Sequence, residues 1–182
     1  MAEILLGVTG GAAAFKAVSV ASLLRKSGHT VNCILTKAAT EFVTSVQLSS
    51  VSGTPCYTDL FSSPAGNPIP HITLTDHADL MVIAPATAHF LARAAHGLAD
   101  DLLSTSFLAC SAPVLIAPAM NTRMWNNPAV QANVKILYSR GISFAGPVSG
   151  SLACGTTGEG RMVEPADIVE VCAEILRTGG IK

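Results

Sequence analysis

Charge is scarce in this 182-residue chain: Asp, Glu, Lys and Arg make up 13% of it, against roughly 25% in an ordinary soluble domain. Eleven basic and twelve acidic residues leave a net charge of −1, which removes the positive field that a nucleic-acid partner would need. Long hydrophobic runs are missing too. The longest approach, "LMVIAPATAHFLARAAHGLA", is interrupted by Pro85, His89, Arg93 and His96, so no stretch supplies the ~20 apolar residues of a membrane span. The N-terminal "MAEILLGVTGG" carries an acid and too short an apolar run for a signal peptide, and a cytoplasmic location is expected. The cysteines, Cys33, Cys56, Cys110, Cys154 and Cys172, are odd in number and show no CxxC spacing. That excludes a disulfide framework and a zinc site, and no metal is expected. Aromatics are few at 5%, with one tryptophan, yet hydrophobic residues reach 49% and mean hydropathy is +0.48. Apolar surface beyond one core must be covered, and association into a homo-oligomer is the expected cover.

What is present is an alternation. Apolar runs at Ile4–Val8, Val31–Leu35, Leu80–Ala84, Val114–Ala117 and Ile142–Ala145 read as strands. Helical patterns lie near Ala13–Lys26, Thr40–Ser49, Ala88–His96, Asp101–Ala109, Pro128–Arg140 and Pro165–Arg177. Near-continuous apolar strands separated by helices predict a parallel sheet covered on both faces, an α/β, three-layer, doubly wound, Rossmann-like fold. Nothing divides residues 1–182, which read as one domain. Two stretches, Ser50–Asp76 and Gly146–Glu164, read as irregular, and loops of that length are often functional.

Several motifs fall where such a fold gathers ligands. "GVTGGAAAFK", Gly7 to Lys16, joins the first strand to the first helix, and glycines there let backbone N–H groups approach a phosphate. Its spacing is neither G-x-G-x-x-G nor a P-loop. The second strand ends in Thr36 and Lys37, where a dinucleotide fold usually carries a ribose-binding acid. A mononucleotide such as FMN suits this better than NAD; the bland alternative is a glycine turn made for packing. Thr87 follows Pro85 at a helix start and either caps the helix or touches a ligand. His89 and His96 share a helical face without a third ligand, so solvent or interface positions suit them better than a metal. His71 follows the proline-rich "SSPAGNPIP" and reads as a loop histidine, a polar contact or an acid/base. "GSLACGTTGEGRM", Gly150 to Met162, is a glycine-rich flap carrying Cys154, with Arg161 and Lys37 available to an anion. In "PAMNTRMW" the strand stops at Pro118 and presents Asn121 at its C-terminal end.

Together these motifs resemble the homo-oligomeric flavin-containing cysteine decarboxylases, over nearly the whole chain. "PAMNTRMW" matches that family's P-x-M-N-x-x-M-W. "PATAHF" is similar to its P-A-S-A-N-T, with His89 and Phe90 in place of Asn and Thr. "HITL" resembles the segment that carries the active-site histidine, and "ACGTTGEGRM" resembles the substrate clamp of phosphopantothenoylcysteine decarboxylases, within the stretch 146–164. "AHGLADDLLST" is most similar to the decarboxylase half of the bacterial bifunctional coenzyme A enzyme. The resemblance implies FMN held at Gly10, Gly11, Ala12, Thr36, Lys37, Thr87, Ala88 and Ala119. It implies catalysis by His71, Asn121 and Cys154, with Met120, Asn121, Ala153 and Arg161 binding substrate. The implied reaction oxidises the cysteine Cβ–thiol to a thioaldehyde, which lets CO2 leave and gives an enethiolate that Cys154 protonates while reduced flavin returns a hydride. Trimers, sometimes assembled into dodecamers, are implied, with the site between subunits. Two other outcomes stay open: oxidative decarboxylation of a peptide's C-terminal cysteine, and a flavin-binding regulatory subunit.

Overall fold

The computed structural model describes residues 1–61, 69–151, 155 and 157–179. Its centre is a six-stranded sheet of β1 (Glu3–Val8), β2 (Thr30–Leu35), β3 (Cys56–Tyr57), β4 (Leu80–Ala86), β5 (Val114–Pro118) and β6 (Ser143–Phe144). The spatial order is β3-β2-β1-β4-β5-β6, and every neighbouring pair is parallel. The helices α1 (Phe15–Lys26), α2 (Ser45–Ser52) and α8 (Pro165–Thr178) cover one face. The opposite face carries α3 (Pro70–Asp76), α4 (Ala88–His96), α5 (Leu102–Ala109) and α7 (Pro128–Ser139). Strand alternation sorts side chains between the two cores. Ile4, Leu6 and Val8 pack with Ala17, Val20, Leu24 and Ile168 on the first face, whereas Leu5 packs with Met81, Leu91 and Leu103 on the second. The expected doubly wound fold is the one observed, with both faces of the central strands dry. None of the described helices is long and apolar enough to cross a membrane.

Local signals set the boundaries. Helix α4 begins at Ala88 because Thr87 accepts a hydrogen bond from Phe90 N at 3.3 Å, and it ends at Gly97 in the left-handed region. Helix α2 starts later than the expected Thr40. Residues Ala39–Glu41 form a short 3-10 turn, and a capping box between Thr44 and Gln47 sets the true start. The stretches expected to be irregular contain short elements: β3 and α3 in the first, and β7 (Val148–Ser151) with β8 (Thr157–Arg161) in the second. These last two form a separate antiparallel hairpin. His71 therefore stands on a helix, α3, which opens with Pro70 at its first turn, and not on a loop.

Candidate active site

Strands β1 and β4 are neighbours, but α1 and α4, which follow them, cover opposite faces. The chain leaves the two strands in diverging directions, and a crevice opens at their C-terminal ends, the switch point of an open α/β sheet. Two joined clefts occupy it. The first, of about 690 Å³, is largely apolar: Ala12, Ala13, Phe15, Met120, Met124 and Met162 contribute to its wall beside Lys16, Asn121 and Arg161. The second, of about 820 Å³, has more charged residues in its lining, with Lys37, Glu41, Arg93 and Asp100 beside Thr36 and His89. Gly10, Thr87 and Met124 line both.

Glycine is required at the junction. A Cβ on Gly10 would lie 2.5 Å from the carbonyl carbon of Ala38, so no side chain fits between the turn after β1 and the turn after β2. The 3-10 turn Ala12–Ala14 runs straight into α1. Ala14 N donates to Gly11 O at 2.9 Å, and the N–H groups of Ala12 and Ala13 come before that first bond, where a helix start can receive an anion.

Asn121 is held from two directions. Its Oδ1 caps the short helix α6 (Thr122–Trp125) by accepting from Arg123 N at 2.8 Å, which fixes the orientation of the amide. Hairpin strand β8 lies against the same turn: Met120 N donates to Gly160 O at 2.9 Å, and Gly160, at φ +128°, passes so close that a Cβ would sit 2.3 Å from Met120 O. Trp125 packs partly buried on the second core, and its carbonyl accepts from Gln131 Nε2 at 2.6 Å. The crowd of large residues around the asparagine thus braces the turn that carries it.

Charges are shared at both clefts. Glu164, at the end of the hairpin, pairs with Lys16 Nζ at 2.9 Å and with Arg161. The hydrogen bond from Lys16, with Arg161 adding to it, holds the Glu164 carboxyl below the ordinary carboxylate range. Two cations against one acid leave this mouth positive. In the second cleft Arg93 pairs with Asp100 and Asp101. Burial works against ionisation of Asp101, but hydrogen bonds from Ser104 N and Oγ, together with Arg93, outweigh it and lower its pKa.

The candidate residues separate clearly. Gly10, Gly11, Ala12, Thr87 and Ala119 reach the first cleft, as do Met120, Asn121 and Arg161. Thr36 and Lys37 reach the second. Ala88 lines neither cleft, and neither does His71. The His71 Nδ1 is buried without a hydrogen-bond partner among the described residues. Ala153 and Cys154 lie outside the described residues. His96 is occupied by Asn133, to whose Oδ1 its Nε2 donates at 3.1 Å, and the described residues contain no cluster of three or more side chains suited to a metal. Sequence reasoning gave no role to Thr9, Phe15, Lys16 or Glu164. Phe15 and Lys16 could have been found, because they open the helix that follows the glycine turn and so face the same crevice.

A family model described as Flavoprotein matches residues 1–177. The chain belongs to the Flavoprotein family. Among relatives in that family, it is 43% identical over 175 residues to the coenzyme A biosynthesis bifunctional protein CoaBC of Vibrio vulnificus, an alignment covering 96% of this chain and 44% of that protein. The chain thus spans less than half the length of the curated relatives it matches. A solved PPC decarboxylase mutant complexed with pantothenoylaminoethenethiol superposes with a TM-score of 0.88 at 32% identity, covering 97% of this chain and 99% of that one. The FMN-dependent cysteine decarboxylase SpaF superposes with a TM-score of 0.82 at 31% identity, covering 98% and 97%.

Proposed function

We propose that this chain is an FMN-dependent decarboxylase of 4′-phosphopantothenoylcysteine, yielding 4′-phosphopantetheine for coenzyme A synthesis. The observation that carries the reading is Asn121 at the C-terminal end of β5, clasped between its own helix α6 and β8 in the wall of the switch-point crevice. The likeness to CoaBC supports this substrate over others.

The residues present fit FMN. A cleft walled by alanines and methionines beside one lined by charged side chains suits a cofactor that is a planar ring at one end and a phosphorylated polyol at the other, and the Gly10–Ala12 turn at their junction offers backbone donors. Gly10, Gly11, Ala12, Thr87 and Ala119 would hold it on one side of the junction, and Thr36 and Lys37 on the other. When bound, FMN would supply the two-electron acceptor without which a cysteine carboxylate has no electron sink and, after CO2 has left, would return the same two electrons so that the product is a thiol and the reaction is redox-neutral. The protein's part is positioning. Asn121 donates from its amide nitrogen to the substrate carboxylate and fixes the bond to be broken. Lys16 and Arg161 leave the mouth one positive charge in excess of Glu164, which favours an anionic substrate. Phe15, 63% exposed, and Met124, 48% exposed, offer apolar wall to exclude water. Cys154 protonates the enethiolate left by departing CO2.

His71 serves as acid/base at a cleft of a neighbouring copy. It lies off both clefts of its own chain, and exposed apolar side chains stand near it in sequence, Ile72 at 41% and Phe61 at 92%. Covering these surfaces by a trimer, alone or within a dodecamer, joins the two facts. The second reading, a peptidyl-cysteine decarboxylase that stops at the aminoenethiol, is favoured by the likeness to SpaF.

Mass spectrometry after mixing the flavin-loaded protein with 4′-phosphopantothenoylcysteine, and separately with cysteine-terminated peptides, tests both. Loss of CO2 alone from the first substrate is the expected result. Loss of CO2 and two hydrogens from a peptide, with the small molecule unchanged, would replace the first reading by the second.

A further inference from the structure

Thr9 stands immediately after β1 and is 2% exposed. Backbone pairing between β1 and β4 runs as far as Gly7 opposite Ile83, and the register of β4 then shifts between Ile83 and Ala86. Beyond that point the two strands are tied through Thr9. Its N–H reaches Pro85 O at 3.3 Å, its hydroxyl donates to the same carbonyl at 2.8 Å, and the hydroxyl oxygen accepts from Thr87 N at 3.0 Å. One buried hydroxyl therefore replaces the sheet ladder where the ladder splits, using both its donor and an acceptor lone pair.

What it ties is the cofactor junction. Thr9 is followed by Gly10 and Gly11, and Thr87 caps α4. A Cβ on Gly11 would come within 3.5 Å of Thr87 Cγ2, so the two turns face each other across a gap one side chain wide. Resting on the proposal that FMN occupies this crevice, we infer that Thr9 is a positioning residue for cofactor binding: its hydroxyl sets the separation of the glycine turn and the Thr87 turn. Valine at this position keeps the shape but removes both roles of the hydroxyl. Thr87 N then lacks its partner and must shift to find another, opening the gap. Serine keeps both hydrogen bonds.

The test compares wild type, Thr9→Val, Thr9→Ala and Thr9→Ser as full chains, titrating apoprotein with FMN and reading flavin fluorescence and the visible spectrum, with melting of each apoprotein alongside. Thr9→Val and Thr9→Ala are expected to bind FMN roughly tenfold more weakly or worse, the equivalent of one buried donor left unpaired, with a changed flavin spectrum, and Thr9→Ser is expected to restore both. If Val does not fold, the Ser–Ala difference reads the same hydroxyl. Wild-type affinity in Val or Ala overturns the inference, as does failure of both to fold while Ser folds, which makes the hydroxyl a requirement of the fold alone. Absence of FMN binding in folded wild type removes the cofactor proposal itself, and the inference with it.

Discussion

Alanine at Gly160 is a strong perturbation of the proposed substrate side. The new Cβ would lie 2.3 Å from Met120 O and 3.4 Å from Asn121 C, on a residue whose φ is +128°. Backbone strain of this kind costs about 1–3 kcal/mol, and overpacking against a main-chain carbonyl costs about 1–3 kcal/mol more. Holding β8 in place is worth less. The hairpin β7–β8 is its own two-stranded sheet, an arrangement of marginal independent stability, and the bond from Met120 N to Gly160 O contributes about 1 kcal/mol. The strain is therefore relieved by local withdrawal of the hairpin and not by unfolding of the main sheet. At roughly 2–4 °C per kcal/mol for a chain of this size, loss of about 1–2 kcal/mol of anchoring lowers Tm by no more than about 8 °C. Asn121 loses the support of β8, so kcat/KM for 4′-phosphopantothenoylcysteine should fall at least ~10-fold. Steady-state CO2 release and thermal melting of the FMN-loaded variant read the two quantities. Wild-type kcat/KM, or a Tm drop above ~15 °C with kcat/KM unchanged in the folded protein, refutes the coupling of hairpin to asparagine.

Asp101 and the buried thiols give two further predictions. The folded-state pKa of Asp101 is held below its ordinary value of 3.8, so its contribution to stability is complete above that value and is lost as pH falls through the lower folded one. Asp101→Asn should therefore lose less Tm than wild type between about pH 5 and pH 3, and superimposable acid profiles would contradict the assignment. Burial pushes the thiols of Cys56 and Cys172 up to about 12 and that of Cys33 higher still. Iodoacetamide at pH ~8 should leave all three unmodified in the native protein and label them after denaturation, since the thiolate is the reactive form; peptide mapping that finds native Cys172 modified would refute it.

The main sheet was legible because its strands are buried on both sides and read as unbroken apolar runs, and Ala88–His96 was legible to the residue because Thr87 and Gly97 punctuate it. The short elements carry no such periodicity. Strand β3 has two residues, α3 has seven, and β8 is "TGEGR", whose glycines are there for close approach to Thr122 and Met120 and not for a pleated face. The clefts were legible in part: motif letters gave Asn121 and the glycine turn, but the ion pair of Lys16 with Glu164 joins residues 148 positions apart, and no local pattern announces it. The same holds for Thr9, whose partners lie 76 and 78 positions away.

These distances in sequence divide the crevice into two mechanical parts. The cofactor end is built on turns that issue directly from β1, β2 and β4 and are cross-tied by Thr9, so it inherits the rigidity of the sheet. The substrate end is closed by β7–β8, which touches the main body through Met120 and through Thr122 beside Gly158, and is followed by Met162 and Val163 in the first core and by Glu164 on Lys16. Ligand-responsive segments come from the less stable parts of a fold, and here that part is the hairpin. Changes at Thr9 and at Gly160 should consequently act on different quantities, FMN occupancy in the first case and kcat/KM at full occupancy in the second. Because the two sites share no partner, their effects on free energy should add in the double variant. Marked non-additivity would mean that the hairpin and the cofactor turns move as one body.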